Sequence, residues 1–225
     1  MQQIPLDIGV PLIPTLENFY PGPNAEVLDY LRQCLQGGAH RSPVAVYIGG
    51  VSGSGKSHLV GALAEALRNR GQSVGVLRPD ALATVEFDPA WSVLILEDVH
   101  AYDAVRQQLA FNWFVNAQSH QRTVFATGQV LPRALVLRED LRTRLGGGQI
   151  FYLQPLSDAQ VRTVLRETAQ ARGLVLGDEV LDFVLHRFSR DLGSLMPLLA
   201  ALDHYALQTQ RAITIPFIKT MLETL

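Results

Sequence analysis

The stretch "GGVSGSGKS", residues 49–57, carries the most specific chemistry in the chain. It fits G-x-x-x-x-G-K-[ST] through Gly50, Gly55, Lys56 and Ser57. Glycine-rich backbone curls so that several N–H groups face one anion, and the N-terminus of a following helix adds positive potential. Lys56 is placed to reach β- and γ-phosphates, and Ser57 to ligate Mg²⁺. "VAVYIGG" ahead of the loop predicts a buried strand, and "KSHLVGALAEALRNRG" behind it predicts a helix that stops at Gly71. That strand–loop–helix context distinguishes a phosphate cradle from an ordinary glycine turn.

A second group of residues sits where further strands end. "WSVLILEDVH" (91–100) is apolar until Glu97 and Asp98, and Glu97 stands 40 positions after Ser57. Ends of parallel strands face the ligand crevice, so one carboxylate can hold Mg²⁺ through water while the other orients an attacking water. "TVFATGQ" places Thr127 and Gln129 at the end of another strand, where they either sense a γ-phosphate or merely cap the strand. In "REDLRTRLGGGQIFYLQPLS", Arg142 and Arg144 lie near the end of a short helix. Arginines there either pair with local acids or are offered to a neighbouring molecule, where an inserted arginine stabilises transition-state charge.

Strands must alternate with helices to hold these groups. The strands expected are 44–50, "QSVGVLRP", 91–100, "RTVFATG" and "GGQIFYLQP", with helices at 25–36, after the glycine loop and at 103–119. That alternation predicts an α/β fold with a mostly parallel sheet. From Leu156 the strands stop. "SDAQVRTVLRETAQARG", opened by a Ser157 cap, starts a run of four amphipathic helices. The expected organisation is an extended arm (1–24), an α/β nucleotide-binding domain (25–155) and a small helical lid domain (156–225).

The composition excludes several classes. The chain has 225 residues, 48% of them apolar, and a net charge of −2, so it is not a chain-wide basic nucleic-acid binder. The lone cysteine, Cys34, permits no internal disulfide or cysteine metal site and falls at core spacing. The six histidines show no ligand spacing. No uninterrupted apolar run reaches membrane-spanning length, and "MQQIPLDIGVPLIP" does not read as a signal peptide, so a cytoplasmic location is expected and no membrane partner.

The motifs in this order resemble AAA+ ATPases. "LENFYPGPNAEVLDYL", "GKSHLV", "ILEDVH", "ATGQVLPRAL", "DLRTRLGGGQIFYLQPLSD" and "AITIPFIKTMLETL" resemble the Hda family, the DnaA-related bacterial regulators that inactivate the replication initiator DnaA. The resemblance covers nearly the whole chain. It implies a segment with Phe19, Tyr20, Gly22 and Asn24 beside an adenine base. It also implies a cradle of Gly50, Gly53, Gly55, Lys56, Ser57 and His58, ADP or ATP as ligand, and Mg²⁺ on Ser57 and Glu97. Arg144 matches the family's arginine finger, which acts in trans on ATP held by DnaA. "QIPLDI" resembles the family's short motif for the sliding clamp, the β subunit of DNA polymerase III. There Gln3 would fill a polar pocket, with Ile4, Leu6 and Ile8 as apolar anchors. DNA would then be reached indirectly through the clamp, and assembly of the chain with itself is a further expectation.

Two departures point to weak or no hydrolysis in cis. In "FSRDLGSLMPLL" Gly193 stands where the family places a sensor arginine, with Arg190 a candidate substitute. Glu97 stands where an aspartate is more usual in DnaA. The chain stops after the lid helices, so the helix-turn-helix DNA reader of DnaA is not expected. The competing readings are an autonomous AAA+ ATPase such as a helicase-loader-like protein, and a DNA-binding module using Arg138, Arg142 and Arg144.

Overall fold

The computed structural model describes residues 13–37, 45–82, 85–188 and 191–223. The chain divides after Pro155 into two compact units. The first is built on five parallel strands: β1 (Val46–Gly50), β2 (Val74–Leu77), β3 (Val93–Leu96), β4 (Thr123–Gly128) and β5 (Gln149–Leu153). Their order across the sheet is β2-β3-β4-β1-β5. Parallel strands cannot be joined by tight turns: α2 (Lys56–Arg68) lies between β1 and β2, α3 (Ala104–Ser119) between β3 and β4, and α4 (Glu139–Gly146) between β4 and β5, while α1 (Ala25–Leu35) precedes β1.

Both faces of the sheet are covered, which explains why the central strands read as continuous apolar runs. Along β3, Val93 and Ile95 join one core with Leu28, Leu31, Leu59 and Leu63 of α1 and α2. Leu94 and Leu96 join the other, with Ala110, Trp113 and Phe114 of α3 and Leu141 and Leu145 of α4. Cys34 is buried in the α1 side of the first core. The strand expected over 91–100 is shorter than its apolar pattern, because Asp98 takes a left-handed conformation (φ 50°) and turns the chain.

Residues 14–24 do not stand apart as an arm. Leu16 and Phe19 are buried in the α1–α2 core, and a short 3-10 turn, Gly22–Asn24, leads into α1. The Asn24 carboxamide makes a two-bond clip. It donates to the Gln154 carbonyl at 2.9 Å and accepts from the Gln154 N–H at 2.8 Å, tying the entry to α1 to the end of β5.

The second unit is helical: α5 (Asp158–Ala171), α6 (Asp178–Arg187), α7 (Leu192–Thr209) and α8 (Ile215–Glu223). Its own core gathers Val161, Leu165, Leu181, Leu198, Leu202 and Ile218. Ser157 and Gln160 form a reciprocal capping box that starts α5. Asp191 caps α7 by accepting the Ser194 N–H at 2.8 Å. Gly193, in the first turn of α7, therefore lies inside a capped helix start. Among the described residues no helix is long and apolar enough to cross a membrane. Gln3, Ile4, Leu6, Ile8 and Arg190 lie outside the described residues.

Candidate nucleotide site

The glycine loop leaves the end of β1 and closes onto the start of α2. Gly55 supplies the N-cap position with φ +98°, which a side chain would strain, and a Cβ there would also lie 2.8 Å from the Phe19 ring. A Cβ on Gly50 would stand 2.6 Å from Ser54 Oγ, so the loop closes only without one. Gly53 lies exposed at the crest of the loop. No side chain caps α2, so its first N–H groups are left for an anion.

Three further features fit a phosphate. Lys56 is buried, and its Nζ donates to the carbonyls of Gly50 at 2.8 Å and Val51 at 2.9 Å. Burial pushes its pKa down, and the charge of Asp98 opposes that shift. Ser54 Oγ is buried and has no hydrogen-bond partner. Polyphosphate oxygens would satisfy it and compensate the desolvated ammonium. Ser57 is exposed in the first turn of α2, where its hydroxyl would reach a Mg²⁺ carried by those phosphates. Mg²⁺ commonly takes only one or two protein ligands beside phosphate and water. Among the described residues no cluster of three His, Cys, Asp or Glu side chains gathers as a metal site by itself.

The two strand-end acids are not equivalent. Glu97 is largely buried and ion-paired with Arg78 of the loop after β2, Nε to Oε2 at 2.8 Å. Asp98 is more exposed and faces Lys56 electrostatically. Its left-handed backbone is held by Thr127, whose Oγ1 accepts the Asp98 N–H at 2.8 Å. Thr127 is fully buried, so in this geometry its hydroxyl fixes an acid. The Gln129 side chain is exposed.

Tyr47 and Tyr152 support the loop that carries Gln129, a role that the motif patterns do not reveal. The Tyr47 hydroxyl donates to the Val130 carbonyl at 2.6 Å, and that of Tyr152 to the Gln129 carbonyl at 3.3 Å. Together they brace the loop after β4. Burial raises the Tyr47 pKa strongly, so its hydroxyl stays a donor. The sequence signal was faint: glycines at 49 and 128 leave room for the tyrosines, since a Cβ at either position would strike one of these rings.

The remaining candidates line the segment that covers α2. His58 Nε2 lies 3.0 Å from the Thr15 carbonyl, and its ring centroid is 5.6 Å from that of Phe19. His58 thus pins residues 15–19 over the start of α2, with Tyr20 and Gly22 half-exposed beside them. Asn24 is engaged by the Gln154 backbone.

Arg144 lies at the other end of the sheet. It is in the last turn of α4, shortly before Gln149, which pairs with Val46 at the start of β1. The glycine loop follows Gly50 at the end of that strand, about 13 Å away along β1 by the usual rise per residue. The Arg144 guanidinium bonds the Gln118 side chain of α3 and packs near the Phe111 and Phe114 rings. Arg138, by contrast, is ion-paired with Asp140.

Comparison with known proteins matches this architecture. Residues 158–222 match the family model described as "Hda, lid domain". The chain shares its fold with the solved DnaA structures, and its helical unit matches the Hda lid model. Domain III of the Thermotoga maritima replication initiation protein DnaA superposes with a TM-score of 0.71 at 20% identity, covering 93% of this chain and 95% of that one. AMPPCP-bound DnaA from Aquifex aeolicus gives 0.68 at 21% identity, over 87% of this chain and 65% of that one. The Thermotoga maritima RuvB Holliday junction branch migration motor gives 0.63 at 17% identity, over 94% and 72%. At these identities the solved structures establish the fold, and the Hda-type match concerns the lid.

Proposed function

We propose that this DnaA-related AAA+ protein is an Hda-like regulator: it holds ADP in the glycine-loop site, binds the sliding clamp through Gln3, Ile4, Leu6 and Ile8, and offers Arg144 to ATP held by DnaA. Hydrolysis would occur on the partner and limit re-initiation of replication. The observation that carries this reading is the position of Arg144, at the sheet end remote from the chain's own phosphate loop. An arginine there cannot serve its own nucleotide, but it can enter a site presented by a neighbour. The Hda-type lid supports the choice of family.

In its own site, Lys56, Ser54 Oγ and the open start of α2 would bind the phosphates, and Ser57 with Asp98 or Glu97 would hold Mg²⁺. The Arg78 pairing of Glu97 and the glycine at 193 support binding with little turnover. The second reading, an autonomous ATPase, draws on the intact Lys56, Asp98 and Thr127 arrangement. Hydrolysis of radiolabelled ATP prebound to DnaA decides between them, measured with this chain, ADP and DNA-loaded clamp, and with Arg144→Ala in parallel. Hydrolysis that requires Arg144 and the clamp is expected. Turnover by the chain alone, with no effect on DnaA, would establish the autonomous enzyme.

A further inference from the structure

We infer that Phe111 and Gln118 of α3 are positioning residues that hold the Arg144 guanidinium ready for another molecule's phosphate, an inference that rests on the trans role proposed for Arg144. Phe111, Phe114 and Gln118 recur at helical spacing and share one face of α3. Arg144 Cζ lies 5.4 Å from the Phe111 ring centroid and 5.9 Å from that of Phe114, and Nη1 donates to Gln118 Oε1. Phe114 is itself buried in the sheet core, so it is a fixed support.

The contrast with Arg138 identifies which arginine is offered. Arg138 also sits over Phe111, at 4.7 Å. Its Nε and Nη2 donate to the Asp140 carboxylate at 2.6 and 2.7 Å, and its Nη1 donates to Gln108. All three of its nitrogens are committed and its charge is balanced. Arg138 therefore steadies the Phe111 ring without competing as a free cation. Arg144 has no carboxylate partner among the described residues, and a guanidinium carries five N–H donors in a fixed fork. One goes to Gln118, and no other hydrogen bond of this guanidinium forms among the described residues, so the remaining donors stay available beside the two rings.

A loose arginine would still bind a phosphate but would reach the reactive geometry less often. Misplacement by about 1 Å can cost roughly a hundredfold in rate. The supports should thus govern the maximal rate of stimulated hydrolysis and leave docking alone.

The test uses the full chain with DnaA carrying radiolabelled ATP, ADP and DNA-loaded clamp. Variants Phe111→Leu, Phe111→Tyr, Gln118→Ala and Arg144→Ala are compared, each first checked for an unchanged melting temperature. The expected result is a maximal rate lowered roughly tenfold to a hundredfold by Phe111→Leu and by Gln118→Ala. The concentration for half-maximal stimulation should not move, and Phe111→Tyr, which keeps the ring, should stay near wild type. Where Phe111→Leu lowers the melting temperature, Gln118→Ala, at a half-buried position of α3, decides alone. Full rates in Phe111→Leu and Gln118→Ala, with Arg144→Ala inactive, would overturn the positioning role. So would a shift confined to the half-maximal concentration, or failure of Phe111→Tyr. An Arg144→Ala variant as active as wild type would instead sink the trans-finger reading on which the inference stands.

Discussion

Individual residues in the phosphate site act through what they exclude as much as through what they touch. Lys56 is buried against two loop carbonyls, and the loop leaves Ser54 Oγ without a partner. An ammonium held this way gains a counter-charge when phosphate arrives. Lys56→Ala should therefore weaken nucleotide binding roughly tenfold to a hundredfold, the loss expected for one charge-assisted hydrogen bond. Titration with a fluorescent ADP analogue measures it. Gly55→Ala adds only a methyl group, yet it forces that methyl toward the Phe19 ring at a left-handed backbone position. The same titration should show a loss for Gly55→Ala, and a wild-type affinity would remove Gly55 from the geometry described.

At the scale of elements, helix starts carry much of the local definition. The Ser157–Gln160 box begins α5, and Ser157→Ala should destabilise the chain by about 1 kcal/mol in urea unfolding followed by circular dichroism. Asp103 caps α3, the helix that carries Phe111 and Gln118. Its pKa is held below the usual carboxylate range, first by the Arg106 backbone N–H and then by the Arg106 guanidinium. A depressed carboxylate stabilises the fold above its unfolded pKa, near 3.9 for aspartate. That contribution disappears as pH falls through the lower folded value. Asp103→Asn should flatten the fall in stability below about pH 4, and acid-unfolding curves of the two proteins test this.

Across the whole molecule, the proposed function would have the sheet separate two tasks. Its strand ends present the glycine loop, and its strand starts lie near Arg144. If the proposed function holds, Arg144→Ala should leave the chain's own ADP affinity unchanged while removing the proposed stimulation of DnaA. A parallel loss of ADP affinity would mean that the arginine serves its own site. The helical unit has a separate core, with Leu181 fully buried at its centre. Leu181→Ala should cost about 2–5 kcal/mol, read as an early loss of helical signal in urea.

Much of this molecule was legible in one dimension. The cradle motif is local, so residue types at fixed spacing sufficed to locate it. Runs apolar on both faces announced buried parallel strands, and the Ser157 cap and the position of Cys34 followed from short-range pattern. Pairings across long loops were not legible. Nothing near Asn24 in sequence points to Gln154, which is 130 residues away. Nothing near Glu97 signals that Arg78 holds it. The tyrosine braces and the aromatic support of Arg144 also depend on which strands and helices become neighbours. Local sequence sets propensity and motif because its interactions span a few residues. Sheet order brings distant side chains within bonding distance, and only the folded chain decides which polar groups remain committed and which stay free to act.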